Sequence, residues 1–140
     1  MSDLQEIAKN IERRDFVTAL NLCDKFENKK NKHFILNFKG VIKLLQNNLN
    51  NAEKNFLEAN KINPKFIDPI KNLYLIYLRK NLFKELLAYA KKLVEFESLN
   101  YDFNYKLAYA FELNNRQSEA IKYYNVCLDL DGTNKKQALN

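Results

Sequence analysis

The 140-residue sequence holds two glycines, two prolines, two cysteines, one histidine and no tryptophan. So few turn-forming residues exclude a sandwich or barrel with many tight turns and leave long helices with short joints. Cys23 and Cys127 lie about a hundred positions apart, and neither belongs to a CxxC pair. With His33 as the lone imidazole, no metal site can be completed, and the thiols read as small buried hydrophobes in a reducing compartment. The longest apolar stretches, LYLIYL and VIKLL, fall far short of the roughly 18 to 20 residues that span a bilayer. The opening segment MSDLQEIAKN has no apolar core and carries acids early, unlike a secretory signal. No membrane contact and a cytoplasmic location are therefore expected.

Chemistry-bearing motifs are equally sparse. Gly40 and Gly132 stand alone, so there is no glycine-rich phosphate loop. Asp129 and Asp131 are too few and too local for a calcium loop, and no Ser or Cys nucleophile sits near His33 in a readable motif. No enzymatic activity and no cofactor are expected.

What the chain does have is 46% hydrophobic and 29% charged residues, an ordinary globular balance, with asparagine gathered in short clusters. Asn47, Asn48, Asn50 and Asn51 form one cluster, and Asn114 and Asn115 another. Asparagine favours caps and turns over helix interiors, so these read as joints between helices. The net charge of +6 and the run ENKKNKH raise the question of nucleic acid. Lys29, Lys30 and Lys32 read instead as an exposed, solvated loop.

An internal period organises the rest. Gly40 is followed at a step of 34 by Tyr74 and then Ala108; Ala52 leads likewise to Leu86 and Ala120. Phe56 leads to Ala90 and Tyr124, and Pro64 to Ser98 and Gly132. In the first unit Ala19 precedes Ala52 by 33. Units of about 1–32, 33–66, 67–100 and 101–134 result, with 135–140 the start of a further repeat or a tail. By unit the charges are +1, +3, +2 and −2, with +2 from the tail, a mild gradient rather than a basic face; nucleic acid is not expected.

Each unit reads as two helices. The spacing predicts helices over Phe34–Gln46 and Asn51–Ile62 in the second unit, and over Tyr101–Leu113 and Gln117–Leu130 in the fourth. Antiparallel helices approach closely only where a small side chain faces the partner. Gly40 and Ala52 supply that gap within the second unit, and Ala59 toward the next. Phe56 fills the space between the small residues. Pro64 lacks an N–H and restricts Asn63, so the helix ends there.

The segment GVIKLLQNNLNNAEKNFLEANKINP resembles the tetratricopeptide repeat (TPR) in its small, small, aromatic, small and proline positions. LAYAFELNNRQSEAIKYYNVCLDLDG matches with Gly132 in the proline place. LYLIYLRKNLFKELLAYAKKLVEFES departs, since Leu86 and Ala90 exchange large and small and Ser98 replaces proline. In the first unit Leu4, Ile7, Ala8 and Ile11 run slightly out of phase. The resemblance covers nearly the whole chain. It implies an all-α fold, a right-handed superhelical solenoid of antiparallel helix pairs in about four repeats.

The resemblance also implies a protein-interaction module, because first helices of TPR units line a concave groove that holds a peptide or helical segment. Mapped onto this chain, the peptide-binding groove comprises Phe34, Asn37, Phe38, Val41 and Leu45, then Lys71, Asn72, Leu75 and Arg79, then Tyr105, Lys106 and Tyr109. Leu44, Asp68, Leu78, Asp102, Glu112 and Leu113 occupy the remaining groove places. HFILNFKGVIKLL is apolar almost all round, more than one buried face requires. Either Phe34, Phe38 and Leu45 dock an apolar partner, or they pack against Leu4, Ile7 and Ile11. Tyr105 and Tyr109, one turn apart, suit an exposed groove because the phenol tolerates water.

Two TPR subclasses fit poorly. A carboxylate clamp would need Asn and a base where Val41 and Asp102 stand, although Asn72 and Lys106 agree with it. An asparagine ladder is met at Asn72 but broken at Gln5, Phe38 and Lys106. The expected partner is a protein or peptide. The alternative is a structural or self-associating, homo-oligomeric N-terminal arm of a larger protein whose catalytic domain lies beyond residue 140. TNKKQALN would then begin another unit's first helix.

Overall fold

A computed structural model describes the backbone of residues 1–139 and the side chains of residues 1–132. The described residues form eight helices and no strand. In order they are α1 (Asp3–Glu12), α2 (Phe16–Phe26), α3 (Lys32–Leu45), α4 (Leu49–Ile62), α5 (Asp68–Arg79), α6 (Phe83–Phe96), α7 (Tyr101–Leu113) and α8 (Gln117–Leu139). Two compact units result, Met1–Ile76 and from Tyr77 onward, and the division falls inside α5.

The joints within helix pairs share one construction. Arg14, Asn47, Asn81 and Asn115 are the non-glycine residues with positive φ, at 61°, 60°, 57° and 60°. Each is the left-handed residue of a Schellman turn, closed by an amide reaching back across the last helical turn. The closing bonds are Asp15 N to Asn10 O at 2.9 Å, Asn48 N to Lys43 O at 2.8 Å, Leu82 N to Tyr77 O at 2.9 Å and Arg116 N to Phe111 O at 2.9 Å. Asparagine tolerates this backbone better than other chiral residues, which is the physical reason it fills three of the four joints.

The residue that closes each turn also begins the next helix. Asp15 accepts a bond from Thr18 N at 3.2 Å, and Asn48 from Asn51 N at 3.4 Å. Leu82 has nearly the same backbone (φ −93°, ψ 80°) but makes no capping bond from its side chain. The joints between pairs differ in kind. Asn63 is extended (φ −135°, ψ 90°) ahead of Pro64, as the proline requires. Glu97 adopts the same geometry (φ −144°, ψ 93°) without any proline, and Asn100 caps α7 through Phe103 N at 3.0 Å.

Helices α3 and α4 start two residues earlier than the sequence expectation, which takes Asn50 and Asn51 out of the joint and into α4, and one boundary differs by more. The second helix of the fourth unit, expected to end at Leu130 with Gly132 in the proline place, continues to Leu139. Glycine keeps its N–H and has no ring to clash with the preceding turn, so it does not stop a helix as proline does. The TNKKQALN segment is helical through Leu139, continuous with α8; its side chains and Asn140 lie outside the described residues.

Packing in the first unit follows the small-residue logic. α1 packs on α2, both on α3, and α3 on α4. Ala52, Phe56 and Ala59 are fully buried. A Cβ added at Gly40 would stand 2.5 Å from Cε1 of Phe56, so the missing side chain is what admits the ring. Ile7, Ile11, Ala19, Cys23, Ile35 and Ile42 form the neighbouring core cluster. Burial pushes the Cys23 thiol up to about 11, with Lys39 opposing and Asp24 and Glu27 adding to the rise.

In the second unit α6 packs on α7 and α7 on α8. Leu86, Ala90, Leu93, Ala108, Ala120 and Cys127 are buried. Asn114 fixes the α7–α8 joint by donating to Phe83 O and Ala110 O, each at 2.8 Å. Cys127 donates to Tyr101 O at 3.6 Å, and its thiol too is raised by burial. Both cysteines are free and buried, consistent with a packing role.

Candidate functional site

Within the first unit, the residues expected to bind a partner separate into three environments. Phe34 is half-buried and already engaged: its ring lies 4.0 Å from that of His33 and 4.9 Å from that of Phe66. Phe38 and Val41 are half-buried and pack against the core cluster that contains Ile7 and Ile11, with Leu4 on the same cluster. The packing alternative therefore holds for Phe38. Leu44 is buried as well.

The third environment is open. Leu45 on α3 is 40% exposed and Leu75 on α5 is 39% exposed. Lys71 is exposed on α5. Asn72 donates from Nδ2 to Oδ1 of the buried Asn37 at 3.4 Å, so these two amides tie α5 to α3. Nearby, Lys39 pairs with Asp24 at 3.0 Å. Burial works to lower the Lys39 pKa, but the Asp24 carboxylate and more distant Glu27 outweigh it and the net shift is upward.

Within the second unit the phenols form a connected patch. Tyr105 is 47% exposed, its ring nearly parallel to that of Tyr101 with centroids 6.5 Å apart. The Tyr124 ring on α8 meets Tyr105 edge-on at 5.6 Å. Its hydroxyl donates to Oε2 of Glu112 at 2.7 Å. Burial, the bond to Glu112 and its charge, and the neighbouring Tyr105 and Tyr109 together push the Tyr124 hydroxyl well above the usual phenol range. Tyr109 is half-buried, Arg79 is exposed, and Lys106 is held by Asp102 at 2.6 Å.

Tyr124 stands in repeat register with the fully buried Phe56, yet it is only half-buried. The hydroxyl was the available signal: a phenol in a core position needs a polar partner. Glu112, one of the mapped groove places, provides it from the end of α7. A cleft of about 210 Å³ opens beside this pair, lined by Glu112, Gln117, Ala120, Ile121 and Tyr124. Among the described residues, no group of three or more His, Cys, Asp or Glu could hold a metal ion, and no helix is long and apolar enough to cross a membrane.

No protein-family model matches the sequence. No curated protein matches it either. Solved structures of MamA, a TPR protein, do resemble its fold. A crystal structure of MamA is 15% identical and superposes with a TM-score of 0.81, covering 96% of this chain and 79% of that one. The MamA RS-1 ArsTM double mutant is 16% identical with a TM-score of 0.78, covering 94% and 77%. Residues 41 to the end of MamA from Desulfovibrio magneticus RS-1 are 19% identical with a TM-score of 0.74, covering 94% and 78%. At such identities the likeness establishes the fold, an all-α helical repeat of the TPR type.

Proposed function

We propose that this chain is a protein-interaction module that captures a peptide or helical segment on the first helices of its repeats. One observation carries the reading: side chains that packing does not require stand exposed at groove places on these helices. They are Leu45 and Leu75 in the first unit and Tyr105 in the second, with Tyr109 half-exposed beside it. Large apolar side chains left in water are favourable anchors, because each loses its hydration cost on docking. Helix-in-groove recognition uses such anchors at helical spacing.

The polar groups complement them. Lys71, Arg79 and Lys106 are the cations at the mapped places and are suited to steer acidic groups of a partner. Phe34, Phe38 and Val41, given their engagement inside the first unit, support the shape of α3 rather than contact the partner. The module acts by binding and not by catalysis.

The test uses peptides selected from a displayed random library on the whole chain. Leu75→Asp and Tyr109→Ala, each at unchanged helicity, are expected to weaken the selected peptides at least about tenfold, the equivalent of 1.4 kcal/mol. Undiminished binding by both variants would rule the reading out. Phe38→Asp is unsuitable, because a charge there would be forced into the core cluster.

A further inference from the structure

We propose that the cleft at the α7–α8 joint receives a basic side chain, an ammonium or guanidinium on an aliphatic stem, from the captured segment. This rests on the capture reading above and names the chemistry of one partner residue. The cleft, about 210 Å³, has the scale of a single long side chain. Its wall is divided in the way such a side chain is divided. Ala120 and Ile121 offer apolar surface for a stem, and Ile121 is 60% exposed, so that surface has no cover among the described residues. Glu112, Gln117 and the Tyr124 ring offer the polar end.

The charge argument is specific to Glu112. Two other carboxylates on these helices are neutralised locally: Asp102 by Lys106 at 2.6 Å and Glu119 by Arg116 at 2.9 Å. Glu112 has no cationic partner among the described residues. Its Oε2 accepts the Tyr124 hydroxyl at 2.7 Å, which holds the carboxylate in one orientation at the hydroxyl end of the phenol. A carboxylate fixed at the rim of a cleft is a favourable environment for a cation, through a charge-assisted hydrogen bond. Stem burial along Ala120 and Ile121 then adds apolar contact without desolvating the head.

The experiment is an NMR titration of the whole chain with N-acetyl-lysine N-methylamide and N-acetyl-arginine N-methylamide. The norleucine analogue serves as the uncharged control. Saturable movement of the Gln117, Ala120 and Ile121 amide signals is expected with at least one basic compound and not with norleucine. Glu112→Gln is expected to weaken that binding at least about tenfold, in line with the loss of a hydrogen bond to a charged group. Tyr124→Phe, which keeps the ring and frees the carboxylate, should weaken it less. Glu112 is exposed, so the Gln variant should keep its helicity, which circular dichroism verifies. Equal behaviour of the basic compounds and norleucine, or unchanged affinity in Glu112→Gln, overturns the proposal. Failure of the cleft is separable from failure of capture: silent basic compounds alongside library peptides sensitive to Leu75→Asp would sink the cleft alone.

Discussion

Gly40 and Phe56 interlock so closely that neither can change alone. Because Phe56 is fully buried, its ring has nowhere to move when a methyl group arrives at Gly40. Gly40→Ala would gain about 1 kcal/mol of helix propensity but incur overpacking of about 1–3 kcal/mol. A net destabilisation on the order of 1 kcal/mol is expected in urea titration. Combining Gly40→Ala with Phe56→Leu should show coupling in a double-mutant cycle rather than simple addition. Cys23 offers an independent probe of the same core. With its thiol raised from 9.0 to about 11, the native protein carries on the order of a hundredfold less thiolate there at pH 8 than the unfolded chain. Thiol-reagent kinetics should show Cys23 slow in buffer and fast in denaturant; equal rates would mean the cluster is open.

At the scale of elements, the joints decide where helices turn. Leu82 occupies a backbone conformation that Asp15 and Asn48 use to cap, but it has no acceptor to offer. Leu82→Asp should therefore stabilise the protein by about 1 kcal/mol, since Leu82 is 40% exposed and gives up little packing. A fall in the urea midpoint would show that the leucine serves a purpose other than starting α6. Asn47 provides the complementary case: Asn47→Val forces a β-branched residue to a φ of 60° and should cost about 1–2 kcal/mol, whereas Asn47→Gly should not.

These joints also explain what the sequence made legible. Asn47 and Asn115 marked two turns because asparagine is chemically suited to left-handed backbone. Arg14 adopts the same conformation with no residue-type signal at all, so its joint is visible through the repeat step alone. The Pro64 stop was legible because the ring forbids continuation; the Gly132 stop was an analogy without that prohibition, and α8 runs past it. In the candidate site, exposure of Tyr105 was implied by the repeat resemblance and by a phenol that tolerates water. The half-burial of Phe38 was one of two open alternatives, because its neighbours come from other helices. The Tyr124–Glu112 bond was hidden for the same reason, as it crosses a joint between residues of two different helices.

At the scale of the molecule, the first helices and second helices of the repeats have separate duties. Second helices such as α4 are turned inward by Ala52, Phe56 and Ala59, all fully buried, and supply the interior. First helices α3, α5 and α7 contribute buried residues within their own units and also keep Leu45, Leu75, Tyr105 and Arg79 exposed. The proposed capture uses this remainder. Chemical-shift mapping with a library-selected peptide tests it most directly. The signals of Leu45, Leu75, Tyr105 and Tyr109 should move saturably, while those of Val17, Leu57 and Leu99, exposed elsewhere, stay fixed. Movement confined to Val17, Leu57 and Leu99, with α3, α5 and α7 unaffected, would contradict the account.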